Sequence, residues 1–143
     1  MKIVTLTMNP AVDKSSRIDH VVAERKLRCQ PPSYEPGGGG INVSRAIRNL
    51  GGDSMAVYPS GGPPGQLFKD LLDDEKINHL SIRTEGWTRQ NLMIYETNSG
   101  QQFRFGMPGP ELVRDEWEAC LDQTLEHERK PRFVVASGSL PPG

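Results

Sequence analysis

Apolar residues recur along this chain in two alternating patterns. Short apolar runs predict strands at Ile3 to Met8, Met55 to Tyr58, His79 to Arg83 and Phe133 to Ala136. Between them, apolar residues at helical spacing predict helices near 43–50, 67–72 and 113–125. Strands that alternate with helices predict an α/β fold, in which helices flank a parallel sheet on both faces.

The same spacing defines an apolar face on each predicted helix. In the first helix, Ser44, Arg45 and Arg48 face away from a stripe formed by Val43, Ala46, Ile47 and Leu50. The stripe of the second helix consists of Leu67, Phe68, Leu71 and Leu72. That of the third consists of Val113, Trp117, Cys120, Leu121 and Leu125.

Two regions break this alternation and predict a small second sheet. The segments Ser15 to Val22 and Leu27 to Tyr34 are typical of extended chain. Asn91 to Glu96 is predicted to pair with Gln101 to Phe105 across the turn Thr97 to Gly100. This hairpin needs a partner on one face, which carries Leu92, Ile94, Phe103 and Phe105.

Four consecutive glycines, Gly37 to Gly40, run directly into the first helix. Glycines let backbone N–H groups crowd around a polar ligand, and a helix start favours anions and hydroxyl oxygens. Asn42 in the first turn either caps the helix or offers a donor and an acceptor to a ligand. The run matches neither a Walker loop nor a G-x-G-x-x-G fingerprint, and a flexible hinge is the alternative interpretation.

Composition narrows the class of protein. A chain of 143 residues with 35% hydrophobic and 24% charged residues is typical of a globular domain, and a net charge of −1 gives no support to nucleic-acid binding. Without an 18-residue apolar run or a charged-then-apolar leader, we expect no membrane segment and a cytoplasmic location. Cys29 and Cys120 are expected to be packing residues, and the scattered His20, His79 and His127 predict neither a triad nor a metal site.

Four sequence blocks carry a resemblance to a known family. They are Asn9 to Asp13, Pro36 to Leu50, Trp87 to Asn91 and Ser137 to Gly143. Together, and in this order, they resemble the amino-terminal half of a ribokinase-like sugar kinase of the PfkB family, within its phosphosugar branch. The resemblance spans essentially the whole chain. Family members continue past such a closing turn, so we expect their carboxyl-terminal, nucleotide-binding half to be absent here.

The resemblance implies ATP-dependent phosphorylation of fructose 6-phosphate to fructose 1,6-bisphosphate, with Mg²⁺. Phosphoryl transfer needs a base that takes the hydroxyl proton, which in the family is an Asp in a Gly-Ala-Gly-Asp helix start of the second half. That motif is absent from this sequence, so no catalytic residue is expected here. ATP and Mg²⁺ are expected to bind mainly at the missing half. The small sheet resembles the family's lid, which implies a homodimer formed through it.

The resemblance also implies a sugar-phosphate site that consists of Asp13, Gly38, Gly39, Asn42, Arg89, Arg104 and Ser139. Asp13 would accept hydrogen bonds from sugar hydroxyls, although an Asp in this position is also typical of a cap. Arg89 and Arg104 would hold the phosphate, because a guanidinium fork suits an oxyanion. Without the resemblance, Arg104 is more typical of a solvated strand residue, and Ser139 is equally typical of a structural turn.

Two alternatives stay open. Relatives that act on tagatose 6-phosphate or fructose 1-phosphate tend to carry Lys in place of Gly39, so fructose 6-phosphate is favoured through a single residue. The second alternative belongs to another class of protein: a non-catalytic fragment that binds sugar phosphate, or dimerises through its lid, without turnover.

Overall fold

The computed structural model describes residues 3–126 and 130–143, and His127 lies outside them. The elements of the described residues are β1 (Ile3–Leu6), β2 (Ala11–Ile18), β3 (Ser33–Gly37), α1 (Gly39–Asn49), β4 (Met55–Ser60), α2 (Gly62–Asp74), β5 (His79–Arg83), β6 (Arg89–Glu96), β7 (Gln102–Phe105), α3 (Arg114–Leu125) and β8 (Phe133–Ala136). Every strand and helix of the predicted main alternation is present.

The main sheet contains four parallel strands in the order β5-β4-β1-β8. One apolar cluster joins β4 to α1 and α2, where Tyr58 packs edge-on against Phe68 with 4.9 Å between ring centroids. A second cluster, on the other face, joins Val57 of β4 to Cys120 of α3. Burial of each large side chain contributes about 1.5–3 kcal/mol. The predicted parallel sheet with helices on both faces is confirmed.

The second sheet, called the lid sheet below, has the strand order β3-β2-β6-β7. β2 and β6 are parallel, whereas the two outer pairs are antiparallel. In this register, Asp13 of β2 lies beside Glu35 on one strand and Asn91 on the other. Directly paired residues point to the same face of a sheet, so these three side chains share one surface.

The predicted bounds of the first two lid strands were wrong. β2 begins at Ala11 rather than at Ser15, because its pairing with β6 starts at Ala11 and Arg89. Residues 27–32 form no strand, and β3 begins only at Ser33. Pro31 and Pro32 have no N–H to donate to a ladder, which explains the late start.

The buried face of α1 also differs from the predicted one. Ser44 is only 1% exposed, and its hydroxyl hydrogen-bonds those of Thr5 and Ser54 at 2.8 and 2.9 Å. Ile41, at the start of the helix, is fully buried beside it. Leu50, which was predicted to pack, is 89% exposed. The apolar stripe was misleading because a hydroxyl cluster, rather than an apolar contact, attaches this helix to β1.

The two cysteines lie in different environments. Cys120 is fully buried under the main sheet, and burial raises the pKa of its thiol to about 12. It is therefore a packing residue, as predicted. Cys29 is exposed, so the same prediction was wrong for it, because the segment that carries it forms no strand.

Among the described residues, no helix combines the length and the apolar character that crossing a membrane requires.

Candidate substrate-binding site

The glycine run packs against the carboxyl ends of two strands of the main sheet. The N–H of Gly40 donates to the carbonyl of Ser137, just after β8, at 3.1 Å. The N–H of Ile41 donates to Thr7 Oγ1, just after β1, also at 3.1 Å. Gly39 is so close to the closing turn that a Cβ there would lie 2.5 Å from the nitrogen of Gly138. The run is therefore a packed loop, and the alternative of a flexible hinge is wrong.

Gly38 supplies a backbone conformation that other residues rarely adopt. It is the N-cap of α1 with φ 138°, and a Cβ there would lie 2.5 Å from Thr7 Cγ2. Both features require glycine. The start of α1 consequently has no side chain on its cap residue.

Asp13 is held in place from two sides. Asn91 Nδ2 donates to its Oδ1 at 2.8 Å, and the N–H of Met107 donates to Asn91 Oδ1 at 3.1 Å. The other carboxylate oxygen, Oδ2, occupies the space in which a Cβ of Gly37 would lie, only 2.0 Å from it. An amide and a glycine thus fix the carboxylate where β2, β3 and β6 meet.

A cleft of about 430 Å³ opens over this carboxylate. Its floor is the face of the lid sheet that carries Asp13, Glu35, Asn91, Met93 and Arg104. Two carboxylates, an amide and a guanidinium in one cleft suit a ligand that has several hydroxyl groups and one anionic group.

The two predicted phosphate ligands lie in different places. Arg104, opposite Met93, lines the cleft, and its Nη2 donates to Gln102 Oε1 at 3.2 Å. Arg89 lies four residues before Met93, about 13 Å away at a strand rise of about 3.3 Å per residue. The two guanidiniums donate to different partners, and a joint hold on one phosphate stays a prediction.

Arg89 instead holds the base of the lid sheet. Its Nη2 donates to the carbonyl of Asn9 at 3.0 Å and its Nη1 to that of Met107 at 3.1 Å. These carbonyls lie on the segment that enters β2 and on the segment that leaves β7. Arg89 therefore links the segment before β2 to the segment after β7, two of the connections that join the lid sheet to the rest of the chain.

Asn42 and Ser139 are not among the residues that line the cleft. Asn42 is exposed, its N–H donates to the carbonyl of Gly38 at 2.9 Å, and its Oδ1 accepts from Arg45 at 2.7 Å. Ser139 is exposed too, and its Oγ accepts from Asn9 Nδ2 at 3.2 Å. The hydroxyl of Ser139 thus has a structural role, which is to hold the side chain of Asn9. Because Ser139 is exposed, its hydroxyl is also accessible to a ligand.

Sequence reasoning missed three residues at this site: Glu35, Asn91 and Arg45. Glu35 and Asn91 are the two direct neighbours of Asp13 in the lid sheet. Alternation along β2 predicts which of its own residues share a face with Asp13, but the neighbours on β3 and β6 follow only from the register of the sheet. Arg45 was predicted to face away from the core, and no local signal shows that its partner, Glu75, lies 30 residues away.

A second depression, of about 630 Å³, lies at the start of α2 and is lined in part by Ser60, Gly61, Lys69 and Trp87. It is larger than the cleft over Asp13 but contains none of the predicted ligands. Within residues 3–126 and 130–143, no group of three His, Cys, Asp or Glu side chains is arranged to hold a metal ion.

Comparison with known families gives the class of protein. The sequence profile of the pfkB family carbohydrate kinases matches residues 3–143, and this chain belongs to that family. The resemblance that the four sequence blocks carry is thereby confirmed.

Individual relatives carry more specific names. The chain is 46% identical over 143 residues to the ATP-dependent 6-phosphofructokinase isozyme 2 of Escherichia coli, and 32% identical over 141 residues to a tagatose-6-phosphate kinase of Staphylococcus epidermidis. These matches cover 100% and 99% of this chain, but 46% and 45% of the relatives. The chain spans about half the length of the curated relatives it matches.

Solved structures agree with this placement. Phosphofructokinase-2 from Escherichia coli, in complex with fructose-6-phosphate, superimposes with a TM-score of 0.93 at 45% identity. The superposition covers 99% of this chain and 46% of that one. The ribokinase-like character of the fold, predicted from the resemblance, is confirmed.

Proposed function

We propose that this chain is the sugar-phosphate-binding half of a kinase that transfers a phosphoryl group from ATP to fructose 6-phosphate. The main observation behind the proposal is that the floor of the cleft carries both the fixed carboxylate of Asp13 and the guanidinium of Arg104. The 46% identity to a 6-phosphofructokinase supports the choice of substrate. Phosphorylation of tagatose 6-phosphate is the second candidate, because a relative of that name is 32% identical.

Each predicted ligand has a role in this proposal. The carboxylate of Asp13 accepts hydrogen bonds from sugar hydroxyls, since an ionised carboxylate is only an acceptor. The amide of Asn42 and the backbone at Gly38 and Gly39 contact the sugar from the start of α1. Arg104, and Arg89 after a rearrangement of its side chain, hold the phosphate, and Ser139 closes the site from the β8 side.

The chemical step requires groups that we place outside these residues. Phosphoryl transfer needs Mg²⁺, donors for the ATP phosphates and a base for the attacking hydroxyl. The sequence has no Gly-Ala-Gly-Asp motif, and the described residues present no cluster suited to a metal ion. We assign all three functions to the portion of the relatives' length that this chain does not span.

Calorimetric titration of the 143-residue chain tests the binding part of the proposal. We expect fructose 6-phosphate to bind more tightly than fructose or inorganic phosphate, because only the sugar phosphate engages both the carboxylate and the guanidinium. Parallel titrations with tagatose 6-phosphate and fructose 1-phosphate rank the alternatives. Equal affinity for fructose and fructose 6-phosphate would contradict a phosphosugar site.

A coupled ADP-release assay with ATP, Mg²⁺ and fructose 6-phosphate tests the division of labour between the halves. We expect no turnover from the purified 143-residue chain, because positioning of both reactants supplies much of the rate in phosphoryl transfer. Turnover at ordinary kinase rates, roughly 1 to 100 per second, would show that the base and the nucleotide site lie within these residues.

We also propose that the lid sheet mediates a homodimer. Its apolar face pairs Leu92 with Phe105 and Ile94 with Phe103 across β6 and β7, and Phe105 is 47% exposed. A second copy of this face would cover these side chains. In sedimentation experiments at micromolar concentration we expect a dimer, and a monomer for Phe105→Glu. A monomeric wild-type chain would refute the proposal.

A further inference from the structure

Arg45 of α1 makes four hydrogen bonds at the base of the glycine run. Its Nε and Nη2 donate to the two carboxylate oxygens of Glu75 at 2.7 and 2.9 Å, a bidentate ion pair with the residue that caps α2. Nη2 also donates to the carbonyl of Pro36 at 2.8 Å, and Nη1 donates to Asn42 Oδ1 at 2.7 Å. One guanidinium therefore links the end of α2, the end of β3 and the first turn of α1.

The contact with Asn42 determines which end of that amide is left for a ligand. A guanidinium has donors only, so the amide atom that faces Arg45 must be the oxygen. The nitrogen, with its two N–H groups, is consequently the end that stays available to accepting atoms elsewhere. In the absence of Arg45, the exposed Asn42 side chain would be free to rotate or flip.

The ion pair with Glu75 fixes the position of the Arg45 guanidinium, and thereby the orientation of the Asn42 amide. Both side chains of the ion pair are only about 30% exposed. The hydrogen bond to Glu75 raises the pKa of Arg45, and the negative charges of Glu75, Glu35 and Asp13 add to it, against the opposing effect of burial. Arg45 thus donates as a cation, and its fork fits a carboxylate better than a lysine would.

We propose that Arg45 is a positioning residue for sugar-phosphate binding, which acts by holding the Asn42 amide with its nitrogen toward the ligand. The proposal rests on the proposed function of the cleft. It predicts that the effect of Arg45 on affinity passes through Asn42, rather than through the stability of the chain.

A double-mutant cycle in calorimetric titrations of the 143-residue chain with fructose 6-phosphate tests this role. Arg45→Met removes all four hydrogen bonds and keeps an unbranched stem in place of the aliphatic part of Arg, and we expect the Kd to rise about tenfold. Asn42→Ala should have a similar effect, and the double variant should bind no more weakly than Asn42→Ala alone. Arg48→Met, one turn along the helix, is the control and should leave the Kd unchanged.

Additive losses in the double variant would overturn the proposal, because they would show that Arg45 acts independently of Asn42. Arg45→Lys separates charge from geometry. An ammonium has three donors on one nitrogen for four acceptor atoms and cannot reproduce the guanidinium fork, so we expect the affinity to stay reduced. Full recovery with Lys would equally overturn the proposal.

Two further outcomes are distinguishable. A wild-type chain that does not bind fructose 6-phosphate contradicts the proposed function itself. A wild-type chain that binds, while folded Arg45→Met binds equally well, contradicts only the role of Arg45. If circular dichroism shows that Arg45→Met is unfolded, Glu75→Gln loosens the same anchor and should weaken binding in the wild-type background but not in the Asn42→Ala background.

Discussion

Close approaches between backbone and side chains define the site at the scale of residues. Gly37 has room for the carboxylate of Asp13 only because it has no Cβ, and Asn91 completes the support from the other side. The cleft is thus shaped by small residues as much as by charged ones. Substitutions at glycines should therefore affect affinity more than their exposure suggests.

Gly37→Ala should weaken binding of fructose 6-phosphate at least tenfold, about 1.4 kcal/mol. Its Cβ would lie 2.0 Å from Asp13 Oδ2, so the carboxylate must leave its position. Gly106→Ala, at the rim of the same cleft, has nothing within 4 Å of the added carbon and is the matched control. Calorimetric titration measures both variants, and an unchanged Kd for Gly37→Ala would show that this carboxylate position is unimportant.

Arg104→Ala should raise the Kd for fructose 6-phosphate tenfold to a hundredfold, because losing one charge-assisted contact costs about 1.5 to 3 kcal/mol. Its effect on urea unfolding should be small, since the side chain is exposed. Unchanged affinity in Arg104→Ala would remove Arg104 from the site.

Arg89→Ala should lower the free energy of unfolding as well as the affinity, because Arg89 holds the carbonyls of Asn9 and Met107.

At the scale of elements, periodicity predicted the strands and helices of the main sheet better than it predicted their faces. The position of α1 was found, but its buried side was not, because the hydroxyls of Ser44, Thr5 and Ser54 satisfy one another in the interior. A buried hydroxyl has no distinctive pattern in a sequence. Its partners lie 39 and 10 residues away, so neither follows from the spacing of residues within the helix.

The lid strands were predicted less well than the main sheet for a similar reason. The start of β2 is set by pairing with β6, 78 residues later, and nothing within Ala11 to Ile18 announces that partner. The same pairing brings Asn91 to Asp13. The resemblance to the family was enough to identify Asp13. Its neighbours Glu35 and Asn91 could be identified only from the register of the lid sheet.

Ile41→Ala should lower the free energy of unfolding by about 2 to 5 kcal/mol, because it removes a fully buried side chain from the core. Leu50→Ala, at the other end of α1, should change it by less than about 0.5 kcal/mol, since Leu50 is 89% exposed. Urea denaturation of the two variants provides the comparison. Similar losses would mean that the stripe predicted from the sequence is buried after all.

Glu96 makes the far end of the lid sheet sensitive to pH. Hydrogen bonds from the hydroxyl of Ser99 and the N–H of Val21 lower its pKa, with a smaller contribution from His20. Since the folded pKa lies below the unfolded one, the stabilisation is complete above the ordinary value of 4.5 and is lost as pH falls through the folded value.

The unfolding free energy should therefore fall as the pH is lowered below about 5, and more steeply in the wild type than in Glu96→Gln. Urea midpoints between pH 7 and pH 3 measure the two slopes. Glu24→Gln, in an exposed loop, is the control. Parallel curves for wild type and Glu96→Gln would refute the contribution of this carboxylate.

At the scale of the whole molecule, several apolar surfaces lie uncovered together with an edge of the main sheet. Within the described residues, β8 pairs with β1 alone, and Phe133, Leu140 and Leu50 are 56%, 77% and 89% exposed. Such an edge is a template for pairing with another chain. We therefore expect the isolated chain to associate with itself at high concentration, and binding experiments belong at the lowest workable concentration.

The proposed sugar-phosphate site is tested most directly by titration of the ¹⁵N-labelled chain with fructose 6-phosphate, followed residue by residue in NMR spectra. We expect saturable shifts at Asp13, Asn91, Arg104 and the segment 38–42. The depression at the start of α2, from Gly61 to Lys69, should be unaffected. Shifts confined to that depression, or no saturable shift anywhere, would contradict a sugar-phosphate site between the lid sheet and the glycine run.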